Sequence, residues 1–354
     1  MTHQHLLFHV LVRWLEFTAL VGLVGGLIYW QFVSPSISQH LSILDRRAFR
    51  HGILLTVLFL AVTDVTDMVM RSMMISGKSI GGVLPVIPTV LLKTHFGWVW
   101  MSRISLIALL AVLYLAIRGK NVMSRADRFV SIAIAGGLCL TLSLSGHAVD
   151  LGNFRLTVLA DWIHVVAVSA WVGGLFFLRL HLRGAIDRME EKDGVRCVSL
   201  EIESFGRVAL TAVVTLFAGG LYNTFVHVNS AALLAGTDYG RILILKWILV
   251  TGMLGLGGLS RYGILPLLQN PGGMPDRLLP RLGTGVLGTF VKSTKPAELK
   301  KWFFRLILIE SLLGLGVLAC TAWMTQLPPP HENQRTMKPP GATMDHSGHS
   351  MEGM

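Results

Sequence analysis

The chain has 354 residues, 52% of them hydrophobic and only 14% charged, with a mean hydropathy of +0.60. Soluble domains carry roughly 25% charged residues, so this composition excludes an ordinary soluble enzyme, and the apolar content excludes a disordered chain. The net charge of +11 does not indicate nucleic-acid binding. No basic run interleaved with aromatics stands outside the loops, and in a membrane protein surplus Lys and Arg record orientation.

Eight apolar segments are long enough to cross a hydrocarbon core of roughly 30 Å as helices. They are Leu6–Val33, Phe49–Met70, Thr94–Ile117, Phe129–Ala148, Arg155–Leu180, Ser199–Val228, Tyr239–Tyr262 and Trp302–Gln326. The first runs too long for a signal-peptide core and reads as a span. Helices are expected because lipid cannot satisfy backbone polar groups. The fold class is therefore an all-α polytopic transmembrane bundle of about eight spans. Paired glycines within the spans (Gly25 and Gly26, Gly136 and Gly137, Gly173 and Gly174, Gly219 and Gly220) favour close helix packing. Residues 81–92, carrying Pro85 and Pro88, read as an outer interfacial loop, and 265–301 as a long cytoplasmic loop. Residues 1–327 form one membrane domain, 328–354 a disordered tail. No internal repeat is evident.

Loop charge sets the orientation. The connections after spans one, three, five and seven hold 20 Lys and Arg, whereas the opposite connections and both tails hold seven. The positive-inside rule places the first set in the cytoplasm and both termini in the periplasm. By that assignment ten of the 13 histidines fall on or near the outer face.

Methionines lean the same way. Imidazole with thioether suits copper, and thioether favours Cu(I). Zinc accepts His and Asp but gains little from Met. In the tail, Met344, His346, His349 and Met351 follow a Pro-rich linker; such a segment wraps a soft cation or is simply a solvated end. His5 and His9 share a helical face at i, i+4; they are metal ligands or merely wet the helix end. Arg13 and Glu16 on the same helix should pair. Span two has Asp64 and Asp67 near Met68, Met70, Met73 and Met74. Intramembrane carboxylates are functional candidates by default, here for cation entry, although Asp67 and Arg71 also suit a structural ion pair. Span five presents Asp161 and His164 on one face, either as two ligands or as a ligand and its orienting carboxylate. His95, His147 and His227 stand at the outer ends of spans three, four and six. Lys246 and Glu310 lie deeper, as a structural ion pair or a gate. Cys139, Cys197 and Cys320 are far apart with no CxxC, which argues against a disulfide framework and a zinc ribbon.

In order and spacing, several short stretches resemble the copper resistance protein D family of bacterial inner-membrane proteins. They are Ser145-Gly146-His147-Ala148; Asp161 and His164 before Trp171-Val172-Gly173-Gly174; Phe205-Gly206-Arg207; Gly220 with Asn223; Tyr239-Gly240-Arg241 with Lys246; and Glu310. The resemblance is strongest from Ser145 to Pro329. Gly206 and Ser260 depart from the usual Ser and Asn. The resemblance implies copper transport or handling at the inner membrane, with a periplasmic copper-carrying protein as donor. Membrane lipid and the copper ion are the remaining partners expected.

The competing reading is a b-type haem electron-transfer protein, with axial ligands drawn from His95, His147, His164 and His227. A third is a copper-binding partner that transports nothing. No GxxxxGK[ST] loop and no nucleophile–base arrangement is present, so no enzymatic activity is expected.

Overall fold

The computed structural model describes residues 3–37, 43–120, 123–145, 154–186, 189–227, 236–269 and 296–327. Among these every regular element is helical. Among the described residues eight helices are long and apolar enough to cross a membrane, which makes the chain a multi-pass membrane protein. Span one is His3–Phe32, span two Ile43–Ser76, span three His95–Ala116 and span four Arg125–Leu144. Span five runs as Phe154–Val168, a π-helical turn at Ser169–Gly173, and Gly174–Ile186. Span six is Glu191–His227. Span seven runs as Asp238–Gly258, a second π turn at Leu259–Ile264, and Leu265–Gln269; span eight is Pro296–Met324.

Two expectations are corrected. The segment expected as an interfacial loop is wound into short helices, Ile80–Val83 and Ile87–Lys93, joined by a 3-10 turn. Pro85 and Pro88 stand in the first turns of the 3-10 turn and of Ile87–Lys93. There the missing N–H costs nothing. Span seven also continues past Tyr262, because Leu265, Leu267 and Leu268 are apolar enough to be buried against the bundle. The cytoplasmic segment expected from residue 265 therefore starts no earlier than residue 270.

Span one is the hub, packing on spans two, four, five and eight. Its crossing with span five is the tightest. A Cβ on Gly25 would strike the Ser169 carbonyl and the Gly173 backbone, and one on Gly173 would strike the Val21 carbonyl. Backbone meets backbone there, as small residues in membrane helices permit. By contrast, a Cβ on Gly22 meets nothing within 4 Å. Trp14 Nε1 donates to the Leu315 carbonyl at 3.0 Å and Trp162 Nε1 to the Gly136 carbonyl at 2.8 Å, tying span one to eight and span five to four.

Overpacking a tight core contact costs about 1–3 kcal/mol, sometimes more. Gly173→Val should therefore lower thermal stability sharply and reduce the monodisperse peak in detergent. Gly22→Ala should leave both unchanged. Equal behaviour of the two variants contradicts this packing.

Candidate functional site

Buried polar groups converge at two places among the described helices. The first joins spans one to four. Arg103, buried on span three, donates Nη1 to Glu16 Oε1 at 2.7 Å and to Asp64 Oδ1 at 2.9 Å. Its Nε reaches Thr141 Oγ1 at 3.1 Å, and Nη2 reaches the Thr141 carbonyl at 3.0 Å and Ser145 Oγ at 2.8 Å. Arg13 pairs with Glu16 at 2.7 Å and stands 3.6 Å from Asp67, which Arg71 Nε meets at 3.2 Å. The anticipated Arg13–Glu16 and Asp67–Arg71 pairs are both present. Three guanidinium groups thus face three carboxylates. Such a balanced lattice is how charges survive where water cannot solvate them.

This pairing alters the reading of span two. Asp64 and Asp67 are bound into ion pairs and so serve structure first. One oxygen of each remains without a hydrogen-bond partner, as do both ring nitrogens of buried His9. His9 lies within electrostatic reach of Asp67, so the lattice edge keeps some free ligand capacity. Met68, one residue on, is buried.

The second place is span five. Asp161 interacts with Ser143 of span four and Lys246 of span seven. His164 also feels Lys246, and its Nδ1 is buried without a partner. Lys246 is electrostatically coupled to Cys320 of span eight as well. Lys246 and Glu310 do not pair with each other. Glu310 instead accepts from Trp171 Nε1 at 3.2 Å, so two helices that pack side by side turn these groups to different neighbours. Trp171 and Gly173 sit in the π turn, an irregularity common at functional sites. Gly174 lies under the Phe205 ring.

The remaining candidates are dispersed. His95 is exposed, with Nε2 3.2 Å from the Leu144 carbonyl. Tyr239 is half-buried in the first turn of span seven, where the Thr237 side chain accepts from Gly240 N–H at 3.1 Å. His5, Asn223 and His227 belong to spans one and six, but their side chains lie outside the description, and His147, Met344, His346, His349 and Met351 lie outside the described residues. Among the described residues, no three His, Cys, Asp or Glu side chains gather as a metal cage. Arg103 and Glu201, which is fully buried beside Tyr29, were not singled out from the sequence. The default that flags intramembrane charge applies equally to both.

The fold defines a multi-pass membrane protein with paired charges buried among its helices. Two family profiles match it: "Copper resistance protein D-like, N-terminal domain" over residues 1–156 and "Copper resistance protein D" over residues 200–324. The chain belongs to the copper resistance protein D family. It is also 30% identical over 171 residues to the copper transport protein CutJ of Bacillus subtilis (strain 168). That alignment covers 48% of this chain and 31% of CutJ, so the chain spans about a third of the relative's length. No solved structure matches.

Removing one partner of a buried ion pair costs about 3–5 kcal/mol. Arg103→Met should lower the melting temperature steeply, whereas Lys301→Ala, at an exposed pair with Glu298, should not. A melting temperature unmoved by Arg103→Met contradicts the bracing role of the lattice.

Proposed function

We propose that this protein handles copper at the bacterial inner membrane and takes it up from the periplasm. Membership of the copper resistance protein D family carries the reading. The similarity to CutJ, a copper transport protein, supports it. So does the chemistry of the groups at the outer half: imidazole, carboxylate and thioether, a donor set that suits copper. On this reading both termini are periplasmic. The tail residues Met344, His346, His349 and Met351 raise the local copper concentration, and His5, His9, His95, His147 and His227 line the approach. His164 and Asp161 receive the ion inside the bundle. A periplasmic copper-carrying protein supplies it. The tail follows the last span as a separate segment, 328–354, and the membrane domain is 1–327.

Asp161 and His164 are the residues on which the reading depends most. An imidazole nitrogen buried without a partner costs free energy unless something binds it, and His164 Nδ1 is such a nitrogen. The neighbouring carboxylate offers negative charge to offset the incoming cation.

Cells or vesicles carrying His164→Ala or Asp161→Ala should lose copper accumulation measured by elemental analysis. Normal uptake in both variants rules out their role. Deleting residues 328–354 should reduce uptake several-fold at limiting copper and restore normal uptake at saturating copper, as expected of a segment that raises effective concentration. A tail deletion that also abolishes uptake at saturating copper contradicts the concentrating role.

A further inference from the structure

We infer that the chain is a duplicated four-span unit, and that the cargo site in its second half corresponds to a position that a guanidinium permanently fills in the first. This deepens the copper reading and rests on it.

The contacts show the duplication. Gly25 abuts the Ser169 carbonyl and Gly173, while Gly173 abuts the Val21 carbonyl and Gly25. The contact is reciprocal when span one is laid on span five, which also aligns Val21 with Ser169, Trp14 with Trp162 and Val24-Gly25-Gly26-Leu27 with Val172-Gly173-Gly174-Leu175. Reciprocity of this kind is the mark of a two-fold interface. The Trp14 indole reaches span eight and the Trp162 indole reaches span four, as the same two-fold requires. Spans three and seven begin alike. Thr94 caps Gly97 N–H at 3.0 Å and Thr237 caps Gly240 N–H at 3.1 Å, with cap dihedrals of −118°, 150° and −116°, 152°. Six residues beyond each glycine stands Arg103 or Lys246. Spans two and six align through Phe49 and Phe205. With four spans per unit, both copies face the same way, and the axis relating them runs along the membrane normal.

Overlaying the units turns one polar centre into the other. Glu16 becomes His164, Arg13 becomes Asp161, Arg103 becomes Lys246, Asp64 becomes Gly220 and Asp67 becomes Asn223. The first copy is a saturated ion lattice, with Arg103 as its central cation. The second has lost the carboxylates at the Glu16, Asp64 and Asp67 positions and gained an imidazole. Its cation, Lys246, is a single ammonium on a flexible stem instead of a rigid guanidinium fork. Lys246 lies near enough to Asp161 and His164 to act on both electrostatically, so its positive charge opposes a cation bound there. The repulsion between the ammonium and bound copper limits affinity and aids release.

The test is Cu(I) binding to purified full-length protein in detergent, by competition with a chromophoric chelator. His164→Ala should weaken binding about tenfold or more, a loss of roughly 1.4 kcal/mol per decade. Lys246→Met should tighten it by about tenfold, and Lys246→Arg, which restores the first-half fork, should weaken it to a similar extent. Glu16→Gln should leave affinity within about twofold while lowering thermal stability. If wild type binds no copper, the copper reading and this inference fall together. If wild type binds copper and His164→Ala weakens it, but affinity is unmoved by both Lys246 substitutions or weakened as strongly by Glu16→Gln, this inference alone is overturned.

Discussion

The structure depends on keeping a guanidinium in the interior of a helical bundle. Arg103 makes five hydrogen bonds, to groups on spans one, two and four. Lipid offers no water to replace any of them. Every span that contributes a partner is therefore held in register with the others. Glu16, shared between Arg103 and Arg13, carries the bracing onto span one. Span one then passes it to the second half through the backbone contact at Gly25 and Gly173.

This division of labour gives the two halves different physical characters. The first spends its polar side chains on one another. Among the described residues of the lattice, acceptor capacity is left at single oxygens of Asp64 and Asp67 and at His9 beside them. The second half keeps fewer fixed charges around Asp161 and His164 and has a π turn within span five. Softer pairing and a helix irregularity suit a site that must bind and release a cation. A rigid neighbour that never changes its occupant suits the role of frame.

The eight spans were legible because apolar length dominates membrane insertion, and no other feature competes with it. Two local ion pairs were legible too, since i, i+3 and i, i+4 spacing fixes proximity on one helix. The lattice as a whole was not. Its decisive member, Arg103, meets residues 87 and 39 positions away, and linear spacing says nothing of such pairings. Asp64 accordingly read as a cation-entry group until its arginine partner was in view. The segment with Pro85 and Pro88 misread for another reason: proline breaks a helix interior but is at home in a first turn. The duplication escaped notice because few residues coincide between the units. Among those that do, Gly25 and Gly173 are held by backbone packing and Gly97 and Gly240 by a threonine cap, so geometry shows the kinship more plainly than sequence does. For the candidate site, Asp161 and His164 stood out as an intramembrane pair, whereas their link to Lys246 needed three dimensions.

The most direct measurement is an anomalous difference map at the copper edge from crystals of the full chain loaded with Cu(I). The account predicts a peak beside His164 and Asp161. A peak within the Glu16, Asp64 and Arg103 lattice, with none beside His164, contradicts it.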